Sequence, residues 1–275
     1  MRRPFCRRME LPAAGGKGIV PAIGKRLPEA SWGGSGAPPV ADLIVIPVYN
    51  ESQSIRRVLK ATRAAAPGVD ILVVDDGSTD GSAEILAGIG DIHVLRHPVN
   101  MGYGKALIDG FAYARERGYA RVVTMDCDEQ HEPALIPEFL SYAAEWDVVS
   151  GSRYLVPAPP RLGHVPKDRR EINQQITRRV NELTGYQLTD AFCGFKAYRV
   201  SALAQLDLSE PGYGFPLQFW IQAARAGLSV IERPVPLIYV PNFERRFGGD
   251  LDDASRRLAY YLDVIEKEVA RCSMS

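Results

Sequence analysis

From Asp42 onward, short β-branched runs alternate with longer amphipathic stretches, and this rhythm narrows the possible folds more than any other feature of the chain. Residues 43–46, 71–74, 92–95, 122–125 and 148–149 read as strands, and 51–66, 80–88, 103–117 and 133–144 as helices. Parallel strands need a crossover of a dozen or more residues, usually a helix. Strand–helix repetition therefore predicts an α/β fold with a mainly parallel, doubly wound sheet. With 275 residues, 46% of them hydrophobic, the chain can bury one large core, expected over residues 41–249. Ligands of such sheets bind beyond the carboxyl ends of the strands, so functional residues are sought there.

Residues 1–40 break the pattern. They are rich in Gly, Pro and Ala, lack apolar periodicity and hold no signal-peptide core, so they read as a disordered extension. Seven basic residues there face two acidic ones, against 26 and 31 in the remainder, while the whole chain is formally neutral. The overall balance gives no footing to nucleic acid. The basic tail would attract anionic head groups weakly, although a solvated extension accounts for it as well. Nowhere do the ~20 consecutive apolar residues of a membrane span occur. Four cysteines, at 6, 127, 193 and 272, form no Cys-x-x-Cys pair, as expected in a reducing compartment. The expectation is a cytoplasmic protein with at most peripheral membrane contact. Residues 250–275 read as a closing helix, charged and amphipathic over 252–272.

After the fourth predicted strand comes Asp126-Cys127-Asp128-Glu129-Gln130-His131. Two carboxylates one residue apart suit Mg²⁺ or Mn²⁺, hard ions that take oxygen ligands and share a few carboxylates with substrate phosphates. Alone, such a triplet arises about once by chance in a chain of this length. The other strand ends add to it. The first runs into Pro47-Val48-Tyr49-Asn50-Glu51, with Asn50 a candidate helix cap. The second runs into Asp75-Asp76-Gly77-Ser78-Thr79-Asp80, where acidic side chains could hold a base or ribose and Asp80 could cap the next helix; an ordinary turn explains the same residues. Asn100-Met101-Gly102-Tyr103-Gly104-Lys105 suits a phosphate cradle or plain helix capping, since it has neither P-loop nor dinucleotide spacing. No Gly-x-Gly-x-x-Gly follows the first strand, which excludes a Rossmann dehydrogenase.

In order, the segments VIPVYNE, VVDDGSTDGS, NMGYGKAL, MDCDEQHEP, VSGSRY and LTDAFCGFKAYR resemble the family 2 glycosyltransferases, and within them the polyprenyl-phosphate (dolichol-phosphate) mannosyltransferase group. The likeness runs from about Asp42 to about Gly249. It implies a GT-A fold, the Rossmann-like architecture of nucleotide-diphospho-sugar transferases. It also implies a donor site in which Pro47, Tyr49, Glu51 and Asp76 line the nucleoside pocket, Asp76 at the base, with Gly104 and Lys105 nearby. Asp126 and Asp128 would hold Mg²⁺ or Mn²⁺ against the diphosphate, with Gln130 a further ligand. Arg153 matches an arginine that relatives direct at phosphate, and Arg169 or Arg170 matches a second. Arginine's planar fork suits phosphate oxygens, although each arginine singly is also readable as a solvated charge.

The implied reaction moves a hexose, mannose or glucose, from GDP or UDP onto an acceptor with inversion. An acceptor hydroxyl needs a carboxylate base, whereas a lipid phosphate is already an anion. Where many relatives carry an acidic residue, this chain has Gln218, which cannot take a proton usefully, and Asp190 is then the alternative base. That favours a polyprenyl phosphate, with Gln218 beside it, over a hydroxyl of a soluble glycan; a neutral substitution on a packed helix is the other reading of Gln218. Arg245 stands where the group places a phosphate-binding arginine, but the Ser-Lys pair that usually follows is missing. A non-catalytic nucleotide-sugar-binding scaffold is the remaining alternative, opposed by the retention of Asp126, Asp128 and Arg153.

Overall fold

Successive residues of the central strands point to opposite faces of the sheet, and both faces are apolar. The computed structural model describes residues 41–155, 165–238 and 249–273. The order is β1 (Asp42–Val48), α1 (Ile55–Ala65), β2 (Asp70–Asp75), α2 (Ser82–Ala87), β3 (His93–Arg96), α3 (Tyr103–Glu116) and β4 (Arg121–Thr124). A 3₁₀ turn, Pro133–Leu135, leads into α4 (Ile136–Tyr142), followed by β5 (Val148–Ser152), α5 (Lys167–Thr184), β6 (Lys196–Arg199), α6 (Val200–Leu203), α7 (Phe215–Arg225) and β7 (Val230–Pro234). A second 3₁₀ turn, Gly249–Asp252, precedes α8 (Ala254–Ser273). The expected extension 1–40 and Arg245 lie outside the described residues.

The strands form one sheet in the order β3-β2-β1-β4-β6-β5-β7. The mainly parallel α/β architecture expected from the sequence is present, with β6 running antiparallel to both β4 and β5. Leu43 and Val45 of β1 and Leu72 and Val74 of β2 join one core with residues of α3, α5, α7 and α8. Their alternates, Ile44, Ile46, Ile71 and Val73, join the other with α1, α2 and α4. The closing helix α8 buries Tyr261, Val264 and Ile265 in the first core, so its amphipathic face forms a wall of the domain. Among the described residues no helix is long and apolar enough to cross a membrane.

β1 sits between β2 and β4, so the chain winds outward from β1 and then returns to its other side. The carboxyl ends of β1 and β4 thus flank the switch point where such sheets bind ligands. Two expected caps act differently from the expectation. Asn50 adopts φ 59, and its Oδ1 accepts from Thr79 N at 2.8 Å, so it ties the first strand-end loop to the second; α1 starts five residues later. Asp80 accepts from Ser82 Oγ at 2.6 Å, from Ser52 N at 2.9 Å and from Ser82 N at 3.0 Å. Burial pushes its carboxyl up, but these bonds outweigh it and hold the pKa at about 2.

Candidate active site

Beyond Thr124 the chain turns sharply instead of continuing the ladder. Thr124 Oγ1 donates to Gly194 O at 2.7 Å, Asp126 N donates to His131 Nδ1 at 2.9 Å, and Gln130 N donates to Asp128 Oδ1 at 3.1 Å. Glu129 closes the turn at φ 61, a conformation uncommon for a residue with a side chain, while its carboxylate takes two 2.8 Å contacts from Arg57 of α1. Glu129 and Asn50 are the two non-glycine residues with positive φ among the described residues, and they stand at the ends of β4 and β1. Backbone strain of this kind gathers at functional sites.

The turn leaves Asp126 9% exposed and Asp128 4% exposed. Tyr103 Oη donates to Asp126 Oδ1 at 3.0 Å. A methyl group on Gly194 would lie 2.9 Å from both Asp126 Oδ2 and Tyr103 Oη, so only glycine lets β6 begin this close to the carboxylate. Asp126 and Asp128 together offer hard oxygen donors. Among the described residues no group of three or more His, Cys, Asp or Glu side chains gathers to cage an ion. This donor set fits Mg²⁺ or Mn²⁺ drawing further ligands from a diphosphate.

Beside Asp126 opens a cavity of about 150 Å³, lined by Gln130, Arg153, Arg169 and Arg257 and by the rings of Tyr103, Tyr154, Phe192, Tyr213 and Tyr261. Arg153 donates from Nε and Nη2 to Asp190, at 2.6 and 2.9 Å. Asp190 is fully buried and also accepts from Asn173 Nδ2 at 2.8 Å and Phe192 N at 3.2 Å. Burial opposes both charges, yet the pairing outweighs it: the Asp190 carboxyl falls below its ordinary value and the Arg153 guanidinium rises above its own. Asp190, weighed from the sequence as a base, is therefore the ionised counter-ion of Arg153, its oxygens already spent. Glu232 accepts from Thr189 N at 2.8 Å and Asp190 N at 3.1 Å and so fixes that loop; burial raises its pKa.

The remaining expected residues separate. Arg169 lines the cavity, whereas Arg170 is exposed and outside its lining. Gln218, expected beside the acceptor, is 5% exposed and faces α8: its Oε1 accepts from Ser209 N and Glu210 N, both at 2.7 Å, and its Nε2 donates to Glu268 at 2.8 Å. It is a packing residue, because every polar atom it has is committed away from the cavity. Gly104 and Lys105 do not form a phosphate cradle either. Lys105 N donates to Pro211 O at 3.0 Å, Lys105 Nζ reaches Asp109 at 2.5 Å, and a methyl on Gly104 would meet Glu210 O at 2.2 Å. The 210–212 loop already fills that space. Asp76, 3% exposed, accepts from Met101 N and Gly102 N at 2.8 Å and lies 2.6 Å from His97 Nδ1, so it organises the loop before α3. Pro47 is buried, Tyr49 is 47% exposed, and Glu51 accepts from Ser54 Oγ at 2.7 Å at the end of β1.

Sequence reasoning missed Tyr103, Asn173, Gly194, Arg257 and Tyr261. Tyr103 and Gly194 lay inside motifs already singled out, but nothing local revealed that both touch Asp126. Arg257 and Tyr261 carry no motif at all.

A family model described as Glycosyl transferase family 2 matches residues 43–207. The chain is 34% identical over 216 residues to the undecaprenyl-phosphate mannosyltransferase of Micrococcus luteus, covering 76% of this chain and 88% of that one. It is 33% identical to the polyprenol monophosphomannose synthase of Mycolicibacterium smegmatis, covering 70% and 76%. The fold matches glucosyl-3-phosphoglycerate synthase of Mycobacterium tuberculosis, crystallised with Mn²⁺, UDP and glucosyl-3-phosphoglycerate, with a TM-score of 0.64, 19% identity and coverage of 84% and 80%. With its sheet, its strand-end carboxylates and this similarity across most of its length, the chain belongs to glycosyl transferase family 2, as a glycosyltransferase of GT-A fold.

Proposed function

We propose that this chain transfers a hexosyl group, mannose or glucose, from a GDP- or UDP-sugar to a polyprenyl phosphate, with inversion at the anomeric carbon. The observation that carries this reading is one cavity in which the Asp126 carboxylate, apt for a diphosphate-bound cation, faces Arg153 and Arg169, apt for a second anion. Relatives named for undecaprenyl phosphate and polyprenol monophosphomannose support that acceptor and favour mannose. A divalent cation bound by Asp126 and Asp128 would neutralise charge on the departing diphosphate.

The chain's own residues do the rest. Arg153, aimed by Asp190, and Arg169 hold the acceptor phosphate where one of its oxygens can reach the anomeric carbon. The new carbon–oxygen bond forms as the bond to the donor's β-phosphate oxygen breaks, and the nucleoside diphosphate leaves with the electron pair. No proton has to be removed, because the acceptor is an anion at neutral pH. The aromatic wall keeps water from competing for the sugar. A hydroxyl acceptor fits less well, since Asp190 is committed to Arg153. Membrane contact would be peripheral, through the lipid acceptor.

Purified chain incubated with labelled GDP-mannose, UDP-glucose or their epimers, polyprenyl phosphate and Mg²⁺ or Mn²⁺ is expected to yield organic-extractable sugar. Absence of lipid-linked product with every donor and metal would sink the reading; label on a soluble glycan would favour the hydroxyl acceptor.

A further inference from the structure

We infer that α8, which lies beyond the stretch matched by the family model, completes the acceptor end of the cavity, with Arg257 as a positioning residue for the first turn of α5. The inference rests on the acceptor reading above. Arg257 is 2% exposed despite its charge. Its Nη2 donates to Asp168 Oδ2 at 2.6 Å and its Nη1 to Leu251 O at 2.8 Å. Asp168 is the second residue of α5 and the neighbour of Arg169, whose side chain lines the cavity. A buried guanidinium is tolerated only where its partners sit, so this pair fixes the start of α5 against α8. The cationic wall depends on that registration.

The same helix holds the apolar wall. Tyr260 Oη accepts from Gly214 N at 3.0 Å and donates to Glu210 Oε1 at 2.5 Å. A methyl on Gly212 would lie 2.6 Å from Tyr260 Oη, and one on Gly214 2.8 Å from Val264 Cγ2. The 210–214 loop is thus pressed directly onto α8, and Tyr213 from that loop lines the cavity. Tyr261, 4% exposed, lies 4.9 Å from the Phe192 ring and extends this wall. The lining combines cations, Arg153, Arg169 and Arg257, with the rings of Phe192, Tyr213 and Tyr261, which suits a ligand with an anionic head and an apolar tail. Inorganic phosphate would use the first half alone.

Calorimetric binding of a short, water-soluble prenyl phosphate to the full chain separates this inference from the transfer reading. Arg257→Lys and Asp168→Asn are expected to weaken prenyl phosphate binding about tenfold or more while leaving GDP or UDP binding unchanged. Tyr261→Leu is expected to weaken prenyl phosphate but not inorganic phosphate. The Asp168 side chain is 45% exposed, and Asp168→Asn keeps its volume and an oxygen that can accept from Arg257, so it serves where an Arg257 variant does not, with retained GDP or UDP affinity as the control for folding. Unchanged prenyl phosphate affinity in Asp168→Asn, an equal loss of nucleotide affinity, or a wild-type chain that binds no prenyl phosphate overturns the inference. Weakened variants of a wild-type chain that binds prenyl phosphate yet makes no lipid-linked sugar uphold it and sink the transfer reading alone.

Discussion

Replacing Asp190 with Asn keeps the side-chain volume and removes one charge, which makes it a sharp test of the Arg153 ion pair. Asp190 is fully buried and takes two short bonds from a guanidinium whose side chain is 27% exposed. Removing one partner of a buried pair leaves the other charge uncompensated and costs about 3–5 kcal/mol. Arg153's residual contact with water places this case at the lower end. At ~2–4 °C per kcal/mol for a domain of this size, the melting temperature should fall on the order of 10 °C. The sign of the pH dependence follows from the depressed Asp190 pKa. The stabilisation is fully present above the unfolded carboxyl value of roughly 3.9 and is lost only as pH falls through the lower folded value. Thermal unfolding of wild type and Asp190→Asn should therefore differ by a constant amount from pH 7 to pH 5. A difference that vanishes by pH 5.5 would mean that Asp190 is not held ionised by Arg153, and the counter-ion argument would fail. If Asp190→Asn instead kept full stability and lost only turnover, Asp190 would regain its claim as a base.

Three further outcomes test other parts of the site. Asp128→Asn and, separately, chelation of divalent metal should each reduce transfer by about 10²-fold or more, with Mn²⁺ restoring only the chelated wild type; unchanged turnover in EDTA would refute metal use at this pair. Gly104→Ala should destabilise the fold by about 1–3 kcal/mol, because the new methyl meets Glu210 O and Phe215 Cβ at 2.2 and 2.8 Å, and urea unfolding with an unchanged midpoint would show that the 210–212 loop yields freely. Gln218→Glu places a carboxylate against Glu268, so denaturation should shift by about 1–3 kcal/mol toward unfolding without any gain in transfer to hydroxyl acceptors; such a gain would return position 218 to the acceptor site.

The placing of Asp126 and Asp128 at a strand end was legible because it is written locally. The two carboxylates follow an apolar β-branched run, and the strand–helix rhythm places them at the carboxyl end of β4, where the neighbouring strand-end loops add to them. Fold class came through for the same reason, although β6 did not. Its reversal depends on a four-residue strand fitting between β4 and β5, which no period in the sequence announces. Gln218 misled for a physical reason. α7 is buried on nearly every side, and Gln218 and Gln222, four residues apart, both donate to Glu268 of α8. The position resembles one that is acidic in relatives, but the polar partner that explains it lies 50 residues away.

The choice between Arg169 and Arg170 shows what a finer reading of one helix could have supplied. Along α5 the buried residues are Ile172, Asn173, Ile176, Thr177 and Val180. At about 100° per residue these fall on one stripe, and Arg169 lies near its centre line, three residues before Ile172 and seven before Ile176. Arg170 stands roughly a quarter turn away, which is why it meets solvent. A charge on the centre line of a buried stripe must face either a counter-ion or a cavity. For Arg169 the cavity is there, with Asp126 and Arg153 in the same lining. Its far wall comes from α8, some ninety residues further along the chain, so helix period could have selected the arginine but not what it faces.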